Sequence, residues 1–297
     1  MKGTKDQKKY AVIGNPISHS LSPLLHNLVF QKLGENACYE AVDIEPKQLK
    51  KFIETERMYL GVNVTIPHKE SIIPFLDEIR GDADECGAVN TVVFENEKAI
   101  GLNTDMQGLL MALKKCGFEY KNSIVSVFGT GGAAIGAVCK AASEGAREIR
   151  IIGRNKEKAK HLVTSAQKIA GKKKTDSIIS YECVLTKEAL EGTEIFINAT
   201  PLGMSSVDAE FETFDFLDGL KKGAIVYDMV YRPAETKLVK EARSRGILSE
   251  NGLSMLIHQA LISDSYFLNK PTCELVTDEM YGYIYEGLTK ELYKNTK

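Results

Sequence analysis

The residues best suited to acid–base chemistry are Lys69, in the segment NVTIPHK (63–69), and Asp105, in NTD (103–105). The pattern predicts a helix starting near His68, so Lys69 would lie at a helix N-terminus, where the helix dipole favours anions over cations. Such a setting disfavours the charged form of a lysine, which is useful in a group that transfers a proton. Asp105 could equally be an N-cap or a first-turn acid, and the spacing alone leaves both roles open.

Short polar side chains follow two predicted strands. Ser18 and Ser20 come after the first strand, and Asn63 and Thr65 alternate at the end of the third. Ligands bind beyond the carboxyl ends of the strands in open α/β sheets, so these groups could hydrogen-bond a small polar substrate and its carboxylate. The alternative is helix capping, which suits Ser22 but leaves Ser18 and Ser20 unexplained.

A glycine-rich turn, GTGGAA (129–134), lies directly after a predicted strand and opens a helix. The first glycine permits the tight turn, the second lets the backbone approach a pyrophosphate, and Ala134 is small enough for close packing of helix and strand. The helix N-terminus offers free N–H groups to phosphates. A turn required only for packing is the alternative, but its position between strand and helix favours dinucleotide binding.

The next strand, ending at Ile152, is followed by Arg154 and Lys158 rather than by the acid that NAD-binding folds usually place there. A guanidinium group matches a phosphate dianion, so these residues favour the 2′-phosphate of NADP. A solvated helix start is the alternative, and Glu157 could partly neutralise the pocket.

Alternating apolar runs and helical patterns must position these side chains, and they predict βαβ units with mainly parallel sheets. Strands are predicted at 10–14, 38–42, 60–64, 88–94, 99–102, 124–128, 148–152, 194–198 and 224–228, with 88–94 and 99–102 forming a hairpin. Helices are predicted at 22–33, from 46, from 68, from the glycine turn to about 144, and at 236–244, 253–268 and 273–292.

Composition narrows the class of protein further. The 297 residues suggest two domains at about 150 residues each, and 38 Lys and Arg against 40 Asp and Glu give a net charge of −2. That balance argues against nucleic acid as the main partner, and no apolar run approaches the ~20 residues of a membrane span. The polar opening MKGTKDQKKY is no secretory signal, so the six scattered cysteines are expected to be reduced thiols in the cytoplasm.

The histidines and cysteines show no spacing typical of metal ligands, and no metal is expected. Each histidine is interpreted as structural: His19, His26, His68, His161 and His258.

Taken together, the segments resemble the shikimate dehydrogenase family over nearly the whole chain. The matching stretches are GNPISHSLSP (14–23), NVTIPHK (63–69), GAVNT (87–91), NTD (103–105), GTGGAA (129–134), NATPLGM (198–204) and NGLSMLIHQA (251–260).

The resemblance implies NADPH-dependent reduction of 3-dehydroshikimate to shikimate, with Lys69 and Asp105 as the catalytic pair. It implies a substrate-binding set of Ser18, Ser20, Asn63, Thr65, Asn90, Asp105, Tyr231 and Gln259. It also implies a cofactor-binding set of Gly129, Thr130, Gly131, Gly132, Ala133, Arg154, Asn155, Lys158, Thr200, Met229 and Gly252.

The implied fold is two open α/β domains with a cleft between them. The substrate domain would comprise residues 1–104, with a mixed, mostly parallel sheet, completed by C-terminal helices at 253–297. A Rossmann-type NADP domain would span 105–252. The small-molecule substrate is the expected partner, and the enzyme would be a cytoplasmic monomer or homodimer.

The chain departs from the family at Ser254, where a second glycine is usual, and at SYFLNK (265–270), where an aromatic stretch with tryptophan is usual. These positions bear on the choice between shikimate and quinate. An NAD-dependent quinate/shikimate dehydrogenase is therefore an alternative, as is a non-catalytic sensor of shikimate-like ligands. The sensor is disfavoured because both Lys69 and Asp105 are present.

Overall fold

A computed structural model describes residues 7–55 and 58–293. The chain divides into two compact units: unit 1 comprises Met1–Gly108 with Ile257–Lys297, and unit 2 comprises Leu109–Leu256. Each unit contains a six-stranded sheet with helices, which confirms the predicted α/β class. No helix among the described residues is both long and apolar enough to cross a bilayer.

The strands and helices are numbered in chain order. The strands are β1 Lys8–Gly14, β2 Ala37–Asp43, β3 Gly61–Val64, β4 Glu78–Ile79, β5 Thr91–Glu95, β6 Lys98–Leu102, β7 Ile124–Phe128, β8 Glu148–Ile152, β9 Ile178–Glu182, β10 Ile195–Asn198, β11 Ile225–Asp228 and β12 Leu248–Asn251. The α-helices are α1 Ser22–Leu33, α2 Leu49–Thr55, α3 Asp82–Cys86, α4 Asp105–Lys115, α5 Gly132–Ser143, α6 Lys156–Lys173, α7 Lys237–Ser244, α8 Leu253–Phe267, α9 Thr272–Leu275 and α10 Asp278–Tyr293.

The sheet of unit 1 is mixed, in the order β2-β1-β3-β5-β6-β4. Strand β1 runs parallel to β2 and β3, whereas β5 runs antiparallel to β3 and β6, which confirms the predicted hairpin. Side chains of β1 alternate between two cores, with Ala11 and Ile13 in one and Tyr10 and Val12 in the other. Strand β1 is therefore buried on both faces.

The sheet of unit 2 is parallel throughout, in the order β12-β11-β10-β7-β8-β9. Counted within the unit, this order is 6-5-4-1-2-3, the doubly wound arrangement that binds dinucleotides where the strand order reverses. The reversal lies between β7 and β10. The glycine turn follows β7 directly, so it lies at this reversal point.

Two predicted helices are wrong in detail. The helix expected from His68 is a turn followed by a short 3₁₀ segment at Ile73–Phe75, because Pro74 lacks the N–H that an α-helix needs. The helix expected at 273–292 is broken into α9 and α10. Thr277 accepts a hydrogen bond from the N–H of Met280 and so starts a new helix.

Several smaller elements differ from prediction. Helix α1 begins at Ser22 as predicted, but Leu21 is its N-cap, and the Ser20 hydroxyl accepts the N–H of Ser22. The hairpin begins at Thr91, later than predicted. The short strands β4, β9 and β12 were not predicted, since two-residue and half-exposed strands leave little apolar pattern.

Candidate active site

Lys69 and Asp105 form a close ion pair within unit 1. The Lys69 ammonium donates to Asp105 Oδ2 at 2.5 Å, and the two side chains are only 16% and 11% exposed. Lys69 lies in the turn after β3, so the predicted helix dipole is absent and that argument for its role was wrong. Its role rests instead on the paired carboxylate of Asp105 in a largely water-excluded position.

Asp105 is the first residue of α4, yet its carboxylate does not cap that helix. Asn103 accepts the N–H of Met106, whereas the Asp105 oxygens are divided between Lys69 and the amide of Asn90, the latter at 2.8 Å. The structure therefore favours the pairing role over the capping role that the sequence left open.

The amide of Asn90 has one possible orientation. The backbone N–H of Thr104 donates to Asn90 Oδ1 at 2.8 Å, and an N–H can only donate, so the NH₂ group must face Asp105. The same NH₂ group lies 3.4 Å from Oε1 of Gln259 on α8. Asn90 and Gln259, both predicted from the sequence, thus lie close together, and Asn90 donates a hydrogen bond to the Asp105 carboxylate.

The other predicted substrate residues of unit 1 lie at the ends of β1 and β3. Ser18 is exposed and Ser20 half-buried in the turn after β1, and Thr65 is half-buried directly after β3. A Cβ on Gly14, at the end of β1, would meet the Thr65 methyl group at 2.6 Å, so these two strand ends lie against each other. Asn63 is buried on β3. Tyr231 belongs to unit 2 and is half-buried after β11.

The glycine turn of unit 2 has the geometry that phosphate binding requires. Gly129 has φ +130°, and a Cβ there would lie 2.9 Å from the Ala199 carbonyl oxygen, so only glycine fits. Gly131 is the N-cap of α5, the space around its missing Cβ is open, and the first turn of α5 contains no acidic residue. These residues fit the pyrophosphate of a dinucleotide.

The loop after β8 lies beside the glycine turn. A Cβ on Gly153 would meet the Thr130 methyl group at 2.8 Å. Arg154 and Lys158 are exposed, and Asn155 caps α6 by accepting the N–H of Lys158 at 3.0 Å. The exposed carboxylate of Glu157 pairs with Lys160 at 3.3 Å.

The remaining predicted cofactor residues surround a buried carboxylate, Asp228. Its oxygens accept hydrogen bonds from Asn198 and the N–H of Val230, and from Thr236 at 2.6 Å. Burial raises the pKa of Asp228 to about 6, and the donors oppose that rise.

Each of the three residues predicted to lie at the nicotinamide, Thr200, Met229 and Gly252, is close to this hydrogen-bond network. Thr200 donates its hydroxyl to Asn198 Oδ1 at 2.6 Å. Met229 follows Asp228 directly, and a Cβ on Gly252 would overlap the Met229 carbonyl oxygen. Asn198, Asp228 and Thr236 therefore organise the end of β11. Asp228 and Thr236 could not be predicted from the sequence, because their contacts depend on the order of the strands.

Comparison with known proteins identifies the family. The model of the shikimate dehydrogenase substrate binding domain matches residues 12–92. The shikimate dehydrogenase (NADP(+)) of Aquifex aeolicus is 39% identical over 254 residues, which are 85% of this chain and 88% of that protein. The protein of the same name from Methanocaldococcus jannaschii is also 39% identical, over 86% of this chain and 89% of the relative. This chain belongs to the shikimate dehydrogenase family.

Solved structures of other shikimate dehydrogenases share the whole fold. The enzyme of Listeria monocytogenes in complex with shikimate and NAD aligns with a TM-score of 0.82 at 31% identity, covering 97% of this chain and 98% of that one. The Thermus thermophilus enzyme in complex with NADP(H) and shikimate aligns with a TM-score of 0.76 at 28% identity, covering 94% and 99%.

The structure also describes the two places where the sequence was predicted to depart from the family pattern. Ser254, in the first turn of α8, has a hydroxyl that finds no hydrogen-bond partner among the described residues. In the SYFLNK segment, Tyr266 is 45% exposed while Phe267 is buried in a core of unit 1. Phe267 of the SYFLNK segment therefore packs against the sheet of unit 1.

Three further residues join the polar site of unit 1 and were not predicted. Thr104 and Ser263 contact each other at 3.0 Å, and Tyr39 donates to Asn63. Ser263 follows Gln259 by one helical turn and so shares its face, a signal that the sequence did contain. Tyr39 carries no such signal, because its approach to Asn63 depends on the order of the strands.

Proposed function

We propose that this chain catalyses the reversible NADPH-dependent reduction of 3-dehydroshikimate to shikimate, a step in the biosynthesis of aromatic amino acids. The observation that carries the proposal is the Lys69–Asp105 ion pair, held by Asn90, in a chain of this family. The names of the relatives and the ligands of the solved structures support both the substrate and the cofactor.

Lys69 moves the proton. In the reducing direction its ammonium donates a proton to the carbonyl oxygen as the carbonyl carbon receives hydride, and in the oxidising direction its amine takes the proton back. Asp105 orients the ammonium through Oδ2 and accepts a hydrogen bond from the neighbouring substrate hydroxyl. No metal is needed, because the ammonium itself polarises the carbonyl.

Substrate recognition rests on hydrogen bonds to hydroxyls and to the carboxylate. Ser18 and Ser20 bind the carboxylate, and Asn63, Thr65, Asn90, Tyr231 and Gln259 bind the ring hydroxyls and neighbouring atoms. A site built to hydrogen-bond hydroxyls rejects analogues that lack them, because its buried polar groups would be left unpaired.

Cofactor binding rests on unit 2. Gly129, Thr130, Gly131, Gly132 and Ala133 hold the pyrophosphate with their backbone N–H groups and the α5 N-terminus. Arg154, Asn155 and Lys158 hold the 2′-phosphate side, and Thr200, Met229 and Gly252 lie at the nicotinamide. Bound NADP supplies the hydride acceptor for shikimate and, once reduced, the hydride donor for the reverse reaction.

Steady-state kinetics with four combinations, shikimate or quinate with NADP⁺ or NAD⁺, test the proposal. We expect the highest kcat/KM for shikimate with NADP⁺. The NAD-bound Listeria neighbour gives weight to the alternative of an NAD-dependent quinate/shikimate dehydrogenase. A much higher kcat/KM for quinate with NAD⁺ would replace the proposal by that alternative.

The proposal also includes the domain boundaries and the cellular setting. Residues 1–104 with 253–297 are proposed as the substrate domain and 105–252 as the NADP domain; the two compact units divide the chain four residues later at each boundary, after Gly108 and after Leu256. The enzyme works in the cytoplasm as a monomer or homodimer, which size-exclusion chromatography with light scattering would test.

A further inference from the structure

Asn63 has a fixed orientation: its amide nitrogen is fully hydrogen-bonded within the protein, whereas its amide oxygen has two lone pairs and accepts only one hydrogen bond there. Its amide nitrogen lies 3.2 Å from the Asn90 carbonyl oxygen and 3.0 Å from the hydroxyls of both Thr91 and Ser263. A carbonyl oxygen can only accept, so the NH₂ group must face it. Asn63 Oδ1 therefore points to Tyr39.

Tyr39, on β2, is the donor to that oxygen. Its hydroxyl lies 2.6 Å from Asn63 Oδ1, and the side chain is only 3% exposed. Burial, with the nearby Asp264 carboxylate, raises the pKa of Tyr39 well above its ordinary value, so the phenol keeps its proton. The Tyr39 hydroxyl is therefore the donor of this hydrogen bond, and Asn63 Oδ1 is the acceptor.

The ring of Tyr39 is held in turn by a fully buried pair. His26 stacks on it with ring centroids 4.0 Å apart and planes 8° apart, and His26 Nδ1 lies 2.7 Å from Asp264 Oδ1. Both members of the pair have no solvent exposure. Asp264 follows Ser263 on α8, so one helix holds Asn63 directly through Ser263 and indirectly through Asp264, His26 and Tyr39.

The same network continues to the catalytic pair. Ser263 contacts Thr104 at 3.0 Å, Asn90 donates to Thr104 at 2.9 Å, and Asn90 donates to Asp105. This connected set of polar groups contains two amides of fixed orientation, Asn63 and Asn90. Rigidity of the groups around a ligand lowers the cost of binding.

We propose that Tyr39, clamped by the His26–Asp264 pair, is a positioning residue that fixes Asn63 for shikimate binding. The inference rests on the proposed function, because it assumes that shikimate is the ligand of this site. Tyr39 itself touches no reacting atom in this scheme. Its effect passes through Asn63 Oδ1.

The decisive variant is Tyr39→Phe, which keeps the ring and its stacking on His26 but removes the donor. Loss of one donor to a buried acceptor is expected to raise the KM and Kd for shikimate by about tenfold. The kcat should change by less than about twofold, because the lost hydrogen bond helps to bind the substrate and the transition state equally. The KM for NADP⁺ should not change.

The matched control is Tyr10→Phe. Tyr10 is also buried in unit 1, but its hydroxyl donates to the backbone oxygen of Phe267 at 2.8 Å, outside the network. This variant should lower the melting temperature and leave the KM for shikimate unchanged. An equal rise in KM in both variants would mean that Tyr39 has only a structural role, and the proposal would fail.

A double-mutant cycle tests whether Tyr39 acts through Asn63. In an Asn63→Ala background, Tyr39→Phe should no longer weaken shikimate binding, measured as Kd by calorimetry. A persisting tenfold effect there would overturn the proposal, as would an unchanged Kd for Tyr39→Phe in an otherwise active enzyme. A wild-type protein that neither binds nor oxidises shikimate would instead overturn the proposed function.

Discussion

The direction of each hydrogen bond around Asp105 follows from groups that can act in only one way. Thr104 N–H fixes the amide of Asn90, and the Asn90 carbonyl fixes that of Asn63. Asn90 must therefore donate to Asp105, leaving the other carboxylate oxygen for Lys69. At the scale of single residues, the backbone thus determines which way the amides of Asn90 and Asn63 face.

The Lys69→Ala variant should lose about 10²–10⁴-fold in kcat, the usual contribution of a positioned proton donor. Turnover of shikimate with NADP⁺ measures it. Lys140→Ala is the control, because Lys140 is another largely buried, ion-paired lysine, 5% exposed and 3.0 Å from Glu144. Near-normal turnover in Lys69→Ala would remove this lysine from the mechanism.

At the scale of elements, β7, the glycine turn and β8 could be predicted residue by residue. Both strands, Ile124–Phe128 and Glu148–Ile152, have the predicted bounds, because a short apolar run between turn signals leaves few alternatives. The helix expected at His68 is absent, because Pro74 lacks the backbone N–H that an α-helix needs.

The glycine turn could be identified from the sequence because it follows a strand directly, whereas Lys69 and Asp105 were predicted as a catalytic pair only through the family resemblance. The residues that hold these side chains in place, such as Tyr39 and Asp228, could not be identified in this way. Tyr39 reaches Asn63 only because β1 lies between β2 and β3, and Asp228 meets Asn198 only because β10 and β11 pair. Such meetings depend on strand order, which local patterns do not encode.

The loop after β8 should decide the choice of cofactor. Arg154→Gln removes a guanidinium but keeps a polar side chain, and it should raise the KM for NADP⁺ by about tenfold or more through loss of a charge-assisted bond. The KM for NAD⁺ should change little, because NAD has no 2′-phosphate. Lys168→Gln, an exposed position on the same helix α6, is the control. Equal effects on both cofactors would contradict a 2′-phosphate contact.

At the scale of the whole molecule, the two units carry different chemistry. Unit 1 holds the Lys69–Asp105 ion pair with its amides and hydroxyls, and unit 2 holds the glycine turn, the cationic loop and the carboxylate network of Asp228. The net charge of −2 averages over both units. It therefore conceals local charges such as Arg154 and Lys158.

Asp228 should make the stability of the whole molecule depend on pH. Its pKa is raised from 3.8 to about 6 in the folded state, so the folded form binds the proton more tightly than the unfolded form. The stabilisation is fully present below about pH 4 and is lost as pH rises through about 6, a change on the order of 3 kcal/mol.

Chemical denaturation of the wild type and Asp228→Asn between pH 4 and pH 7 measures this effect. The free energy of unfolding of the wild type, minus that of the variant, should fall across this range and then level off. A difference that does not vary with pH would show that Asp228 titrates at its ordinary pKa.

The discontinuity of unit 1 has a consequence for synthesis on the ribosome. Strands β1–β6 emerge before unit 2, but the part of α8 that brings Gln259, Ser263 and Asp264 follows only after unit 2. His26 must therefore wait for Asp264 until all of unit 2 has been synthesised, while the contiguous unit 2 can fold ahead of it. The part of unit 1 that precedes unit 2 thus acquires its finished interior only after unit 2 has emerged.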